Sequence, residues 1–174
     1  MLFRSAAISA VSVSGTTWTV TASSGTGSGT LGLNLVDNDS IIDSTSNKLG
    51  GAGTGNGSFT GAVYTIDRTP PTVSSIARAG ANPASSDTVS WTVTFSESVT
   101  GVNSSDFALA IANLTGAYVQ SVSGSGTTWT VIANTGLCTG SCSLGLNLVD
   151  DDSIADTVGN NAARADCTSA CARR

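Results

Sequence analysis

The chain has 174 residues, of which 40% are hydrophobic and only 11% are charged, with a formal net charge of −5 and no histidine. Such a chain can bury a core, but its acidic balance excludes the basic surface that nucleic-acid or polybasic membrane binding requires. The lack of histidine removes the commonest general base and metal ligand. No segment reaches the roughly 18 apolar residues of a membrane span. Many Gly, Ser, Thr and β-branched residues favour short strands joined by turns.

The first predicted element is a strand near the start of the chain. Residues 1–13 weakly resemble a signal peptide, with one arginine before a short apolar stretch. That stretch is interrupted by serines, and an internal repeat assigns the same residues to a strand. We therefore predict a strand here.

An internal repeat decides the predicted architecture. Residues 14–20 (SGTTWTV) return 111 positions later as residues 125–131, and residues 31–37 (LGLNLVD) return 113 positions later as residues 144–150. A period near 112 residues is too long for a solenoid and suits tandem β-sandwiches. We predict an all-β fold of tandem immunoglobulin-like β-sandwiches.

The phase of the repeat predicts the domain boundaries. Residues 1–71 hold the later part of one unit and end in a Pro-Pro linker, and residues 72–161 hold a nearly complete unit. Residues 162–174 do not continue the pattern and form an aberrant tail. The first sandwich is expected to be incomplete at its start and the second at its end. We expect the chain to be a fragment of a longer multi-repeat protein.

Strand signals in the more complete unit follow in chain order. Apolar and polar residues alternate over residues 89–95, which predicts a half-buried strand. Residues 118–122 and 127–133 flank a glycine-containing turn and predict a hairpin. The remaining predicted strands are 72–78, 107–111 and 144–148, with a loop over 135–143.

The linker and strand motifs resemble bacterial immunoglobulin-like repeats. The segments are 69–76 (TPPTVSSI), 93–99 (VTFSESV), 147–154 (NLVDDDSI) and 156–160 (DTVGN). Such repeats occur in large secreted and surface-anchored adhesin-type proteins. The resemblance implies an extracellular or cell-surface structural and adhesive spacer, sometimes rigidified by calcium. Its expected partners are neighbouring repeats and surface glycans or other cell-surface proteins.

A repeated acidic cluster is the candidate metal site. The residues are Asp37, Asp39 and Asp43 in the first unit, and Asp150, Asp152 and Asp156 in the second. Carboxylates at alternate positions of a turn can converge on calcium, which takes six to eight oxygen ligands. Asn47, Asn160, Glu97 and Asp106 are candidates to complete such a site. The alternative is a plain acidic turn, since Asp and Asn suit turns and caps.

Four cysteines form two pairs with three intervening residues each. Cys138 and Cys142 lie in one predicted loop, where a local disulfide fits an extracellular protein. Cys167 and Cys171 lie in the aberrant tail. A four-thiolate zinc site is the alternative, which this spacing fits poorly.

Catalysis finds little support, and we predict that the chain is not an enzyme. A serine nucleophile needs a base, and the acidic residues belong to a repeated motif. The alternative function is a carbohydrate- or ligand-binding accessory module of a secreted protein, for which exposed tryptophans would provide a platform. Trp18 and Trp129 are equivalent strand positions, and Trp91 lies in an alternating row, so we predict that all three pack in cores.

Overall fold

This computed structural model describes residues 6–149 and 151–162, which contain ten β-strands and one short 3₁₀-helix. Every strand pairing is antiparallel, so the all-β prediction is confirmed. The described residues contain no helix with the length and hydropathy of a membrane crossing. The chain divides into two compact units, residues 1–69 (unit 1) and 70–174 (unit 2).

Unit 1 consists of two hairpins. Strands β1 (Ala7–Ser14) and β2 (Thr17–Ser23) form the first, and β3 (Gly29–Leu35) and β4 (Phe59–Ile66) form the second. The β1–β2 loop has two residues, and Gly15 at its first position has φ +60°. A two-residue hairpin turn of this kind requires a positive φ there, which glycine adopts without strain.

Unit 2 is built on a long central strand, β6. Its strands are β5 (Val73–Arg78), β6 (Thr88–Thr100), β7 (Phe107–Thr115), β8 (Tyr118–Asn134), β9 (Leu137–Leu148) and β10 (Ala155–Asp156), with the 3₁₀-helix at Ser104–Asp106. Strand β6 pairs with β5, β8 and β10, and β7 pairs with β9. Alternation along β6 explains its position, because one face of the strand is apolar and buried while the other is mostly Ser and Thr.

The chain reverses direction inside β8. A Cβ placed on Gly124 would lie 2.7 Å from Cα of Trp129, whereas five extended residues would span roughly 16 Å. Gly126, the counterpart of Gly15, has φ +64°. The two arms of β8 therefore match β1 and β2 of unit 1, as the predicted hairpin requires.

Two predicted boundaries were wrong. Strand β7 continues to Thr115 and β9 begins at Leu137, so much of the predicted loop 135–143 belongs to a strand. The ladder passes from Ala112↔Ser143 to Leu114↔Cys138, so four residues of β9 leave the pairing opposite Asn113. Extra residues of this kind form a bulge, which interrupts the apolar alternation on which the prediction relied.

The buried core lies in unit 2. Its apolar members come from β6, β7, β8 and β9 and from the segments after β6 and β9. They are Trp91, Val93, Phe95, Val99, Val102, Phe107, Val131, Ala133, Leu146, Ile154 and Ala162. Strand β6 provides four of them, so burial of its apolar face is the main hydrophobic contribution to unit 2.

Equivalent apolar residues are exposed in unit 1. Leu33 is 46% exposed where its counterpart Leu146 is 8% exposed, and Trp18 is 66% exposed where Trp129 is half-buried against the core. The predicted core position of Trp18 was therefore wrong, while that of Trp91 is confirmed. The physical reason is that the described part of unit 1 contains no counterparts of β6 and β7 to cover these side chains.

Candidate functional site

Two loops with the same backbone hydrogen bonds carry the repeated acidic residues. Loop A is residues 41–49 and loop B is residues 154–162. In loop A, the N–H of Asp43 donates to the Asn47 carbonyl at 2.9 Å, and the N–H of Leu49 donates to the Ile41 carbonyl at 2.9 Å. In loop B the matching bonds join Asp156 to Asn160 at 3.0 Å and Ala162 to Ile154 at 2.7 Å. The sequence repeat is thus a repeat of local structure.

One aspartate closes each loop with its side chain. Asp43 accepts from the N–H of Thr45 (2.8 Å), the N–H of Asn47 (2.9 Å) and the side-chain amide of Asn47 (2.9 Å). Asp156 accepts the same three bonds, from the N–H of Val158 (2.9 Å) and from the N–H and side-chain amide of Asn160 (2.8 and 2.7 Å). An aspartate that binds backbone N–H groups two and four residues ahead stabilises a turn.

The hydrogen bonds that close the loops also hold these carboxyl groups ionised. The side-chain amide of Asn47, followed by its N–H and by Thr45, lowers the pKa of Asp43 from 3.8 to about 2. Burial alone would raise the pKa of Asp156, but the bonds from Asn160, Val158 and Gly159 outweigh burial and lower it. Carboxylates with such low pKa values are weak general acids and bases near neutral pH.

A fall in stability at acid pH follows from the lowered pKa of Asp43. Because the folded pKa lies below the unfolded value of 3.8, the stabilisation is present above that value and is lost as the pH falls towards about 2. We expect the melting temperature of wild type to fall more steeply than that of Asp43→Asn between pH 4 and pH 2. Circular dichroism melts check this, with Asp87→Asn as an exposed control outside the loops. An identical acid limb in wild type and Asp43→Asn would contradict it.

The other two candidate aspartates of unit 1, Asp37 and Asp39, already have hydrogen-bond partners. Asp37 is buried and accepts from the N–H groups of Asp39 (3.0 Å) and Gly57 (3.1 Å). Asp39 pairs with the Lys48 ammonium at 2.9 Å and accepts from the N–H of Gly53 at 3.2 Å. Lys48 is the first cause of the lowered pKa of Asp39. These contacts connect loop A to the glycine-rich segment that follows it.

The contacts of unit 1 disfavour a calcium ion, with one exception at Asp39. Within the described residues, the buried Oδ1 of Asp39 is a carboxylate oxygen without a hydrogen-bond partner. Calcium needs six to eight oxygens, whereas Asp37 and Asp43 face N–H donors. The Lys48 ammonium also places a positive charge beside Asp39, which disfavours a second cation. The side-chain amide nitrogen of Asn47, a candidate ligand through its oxygen, donates to Asp43.

In unit 2, Asp106 joins the acidic segment to the 3₁₀-helix. Its side chain is fully buried and accepts from the N–H of Asn103 at 2.7 Å and from the hydroxyl of Ser153 at 3.1 Å. Asp151 accepts from the N–H of Ser153, and that residue is the first cause of its lowered pKa. The sequence named Asp106 as a candidate, and the structure brings it to this cluster.

The remaining candidate ligands of unit 2 are Glu97, Asp150 and Asp152. Carboxylate oxygens of Glu97 and Asp156 lie within 4.8 Å of each other. Asp152 is exposed, with φ +69°, close to the φ of +67° at its counterpart Asp39. Asp150 lies outside the described residues. Asp150, Asp152 and Asp156 therefore stay a candidate calcium site, with the closed acidic turn as the alternative.

The predicted cysteine pair is joined in the structure. Cys138 and Cys142 form a disulfide with a Cα–Cα distance of 5.9 Å, within the bulge of β9. The bond closes the excursion of the four residues that leave the β7–β9 ladder. Cys167 and Cys171 lie outside the described residues. Both cysteines lie in residues 132–143, between the two repeated segments of unit 2. The corresponding stretch of unit 1, residues 21–30, is two residues shorter.

Comparisons with known proteins assign no family. No protein-family model matches the chain, and neither a curated protein nor a solved structure shows significant similarity to it.

Proposed function

We propose that the chain is a structural or adhesive spacer outside the cell, built from tandem immunoglobulin-like β-sandwiches. The observation that carries the proposal is the agreement between loops A and B. The residues that the two units share are those that close loops, form turns and, in unit 2, pack in or against the core. A repeat that preserves folding residues, and surrounds its carboxylates with N–H donors, favours a scaffold over a catalyst.

The cysteine pair supports an extracellular location. Disulfides persist in oxidising compartments and are rare in the cytosol. The bond between Cys138 and Cys142 closes a very short loop, so it contributes little chain entropy to stability. Its presence in an exposed bulge is better explained by the redox environment than by a need for stability.

Antibody labelling of intact cells tests the proposed location and role. An antibody against the chain, added to unpermeabilised cells that produce it, is expected to label their surface, and external protease should remove the signal. A cytosolic protein of the same cells serves as the control for leakage. Signal that is confined to permeabilised cells would contradict an extracellular spacer.

The second candidate is a carbohydrate-binding accessory module, which the exposed indole of Trp18 favours. Aromatic rings on a β-surface can stack on sugar rings, and Trp18 lies beside the exposed Val11 and Val13 on β1. A glycan array with wild type, Trp18→Ala and Tyr118→Ala tests it, since Tyr118 is an exposed aromatic of unit 2. Binding that Trp18→Ala alone abolishes would support the module. If the wild-type protein bound no glycan on the array, the accessory-module function would be excluded and the spacer function would remain.

A further inference from the structure

The disulfide of unit 2 lies in an exposed part of the β9 bulge. Cys138 is exposed and Cys142 is half-buried, and none of residues 137–143 belongs to the buried core. The β7–β9 ladder continues on both sides of the bulge. Opening of the disulfide is therefore expected to leave the paired strands and the core in place.

Both sulfur atoms already lie beside backbone carbonyl oxygens. The Sγ of Cys138 is 3.2 Å from the carbonyl oxygen of Gly140, and the Sγ of Cys142 is 3.1 Å from that of Asn113. A disulfide sulfur carries no proton, whereas a thiol is a weak hydrogen-bond donor. Reduction therefore gives each new thiol an acceptor without rearrangement of the backbone, so the same fold accommodates both redox states.

A contact that does not involve sulfur also holds the backbone of the bulge. The side-chain amide of Asn113 donates to the carbonyl of Ser141 at 2.8 Å. Asn113 has φ +56°, a conformation that asparagine adopts more readily than most residues. Because Ser141 lies between the two cysteines, this bond keeps their sulfur atoms close to each other after the disulfide opens. Opening is therefore expected to be reversible.

The strands around the disulfide carry no charge. Residues 107–149, which include β7 and β9, contain no Asp, Glu, Lys or Arg, although the whole chain has a net charge of −5. The nucleophile in thiol–disulfide exchange is an anionic thiolate, which neighbouring carboxylates would repel. These strands present no such repulsion. The short loop that the disulfide closes also gives it a smaller entropic advantage than a long loop would.

We propose that the Cys138–Cys142 disulfide is a thiol–disulfide exchange site whose substrate is a small thiol. The thiolate of the substrate attacks the Sγ of Cys138, the more exposed cysteine, and forms a mixed disulfide with it. The Cys138–Cys142 bond breaks, and the Sγ of Cys142 leaves with the electron pair and takes a proton from water. Exposed disulfides are the labile and regulatory ones, whereas structural disulfides resist reduction.

A second substrate molecule completes the exchange. Its thiolate attacks the substrate sulfur of the mixed disulfide and releases the oxidised dimer of the small thiol. Cys138 leaves as a thiolate and takes a proton from water, so two thiols are oxidised and one protein disulfide is reduced. The inference rests on the contacts of the bulge and does not depend on the proposed spacer role.

Reduced glutathione in excess is the direct probe. The folded full chain is incubated with it and quenched with acid, free thiols are alkylated, and the alkylated positions are mapped by mass spectrometry. Alkylation of both Cys138 and Cys142 is expected without denaturant. The double variant Cys167→Ser/Cys171→Ser is expected to react in the same way, which separates the exchange from the tail cysteines. Reduction that occurs only after urea is added would overturn the proposal.

Two single substitutions, each made in the Cys167→Ser/Cys171→Ser background, identify the attacked sulfur. With oxidised glutathione, Cys142→Ser is expected to form a mixed disulfide at Cys138. Cys138→Ser, which keeps the half-buried Cys142, is expected to react about tenfold more slowly, because reactivity follows exposure. Circular dichroism verifies that both variants are folded. Equal rates, or a faster reaction at Cys142, would overturn the assignment to Cys138.

The folded state of the reduced protein distinguishes an exchange site from a structural disulfide. After reduction by glutathione, the tryptophan signal in near-ultraviolet circular dichroism is expected to persist, since Trp91 is buried in the core away from the bulge. Oxidised glutathione is then expected to restore the disulfide. Loss of that signal on reduction, or failure of the pair to close again, would contradict the proposal.

Discussion

Replacing Ile154 by alanine is expected to lower the free energy of unfolding of unit 2 by about 3 kcal/mol, in the range typical of buried Ile→Ala changes. The Ile154 side chain has no exposed surface and belongs to the core that β6 and β8 form. Truncation removes apolar contacts and leaves a cavity that the surrounding strands cannot fill. Urea denaturation measured by tryptophan fluorescence checks this, since Trp91 is buried in the same core.

The matched control is Ile41→Ala, the same change at the equivalent position of loop A. Ile41 is 45% exposed, so we expect a loss below about 1 kcal/mol. The difference between the two variants measures how strongly burial distinguishes two copies of one sequence motif. Equal losses would show that Ile41 is covered in solution and would contradict the exposed apolar face of unit 1.

Replacing Asp106 by alanine is expected to cost about 2–3 kcal/mol, because it leaves buried donors without an acceptor. The carboxylate accepts from the N–H of Asn103 and the hydroxyl of Ser153, and so connects the 3₁₀-helix to the acidic segment before loop B. Asn103 in turn caps the same helix by accepting from the N–H of Ser105 at 2.8 Å. Urea denaturation of unit 2 again gives the free energy.

Asp87→Ala is the control for Asp106→Ala. Asp87 is exposed, and its contact with Thr135 uses the backbone carbonyl, which the substitution keeps. We expect a change within about 0.5 kcal/mol, as for most surface substitutions. If Asp106→Ala were as stable as Asp87→Ala, the buried network around Ser153 would be of no energetic consequence.

Local pattern was sufficient to predict the main strands of unit 2, but not β10 or the 3₁₀-helix. The alternation of Val89, Trp91, Val93 and Phe95 identified the central strand, because a period of two places one set of side chains on one face. The glycine-containing turn between residues 118–122 and 127–133 predicted the hairpin of unit 2, and Gly126 has a positive φ there, as Gly15 has in the equivalent hairpin of unit 1. Strand extents were less predictable, because the bulge in β9 has no periodic signal.

Burial and hydrogen-bond partners could not be predicted from the repeat. Trp18 and Trp129 occupy the same position in the motif, yet their exposure depends on whether β6 lies beside the strand. The acidic positions were identified, but the aspartates alone did not distinguish a metal site from a closed turn. The amide groups of Asn47 and Asn160 donate to Asp43 and Asp156, which favours the closed turn. An Asp followed by Asn four residues later, with Ser46 or Gly159 at positive φ between them, was the available signal.

The central claim is that Asp43 and Asp156 close loops A and B through hydrogen bonds, without a metal. Thermal melts of the full chain, in calcium and in chelator, test it most directly, because a ligand bound by the folded state alone raises the melting temperature. We predict the same melting temperature in both conditions. In unit 1, N–H groups of Asn47 already donate to Asp43, and the Lys48 ammonium already pairs with Asp39. A rise of several degrees in calcium, lost in Asp156→Asn, would contradict the account and place a metal at loop B.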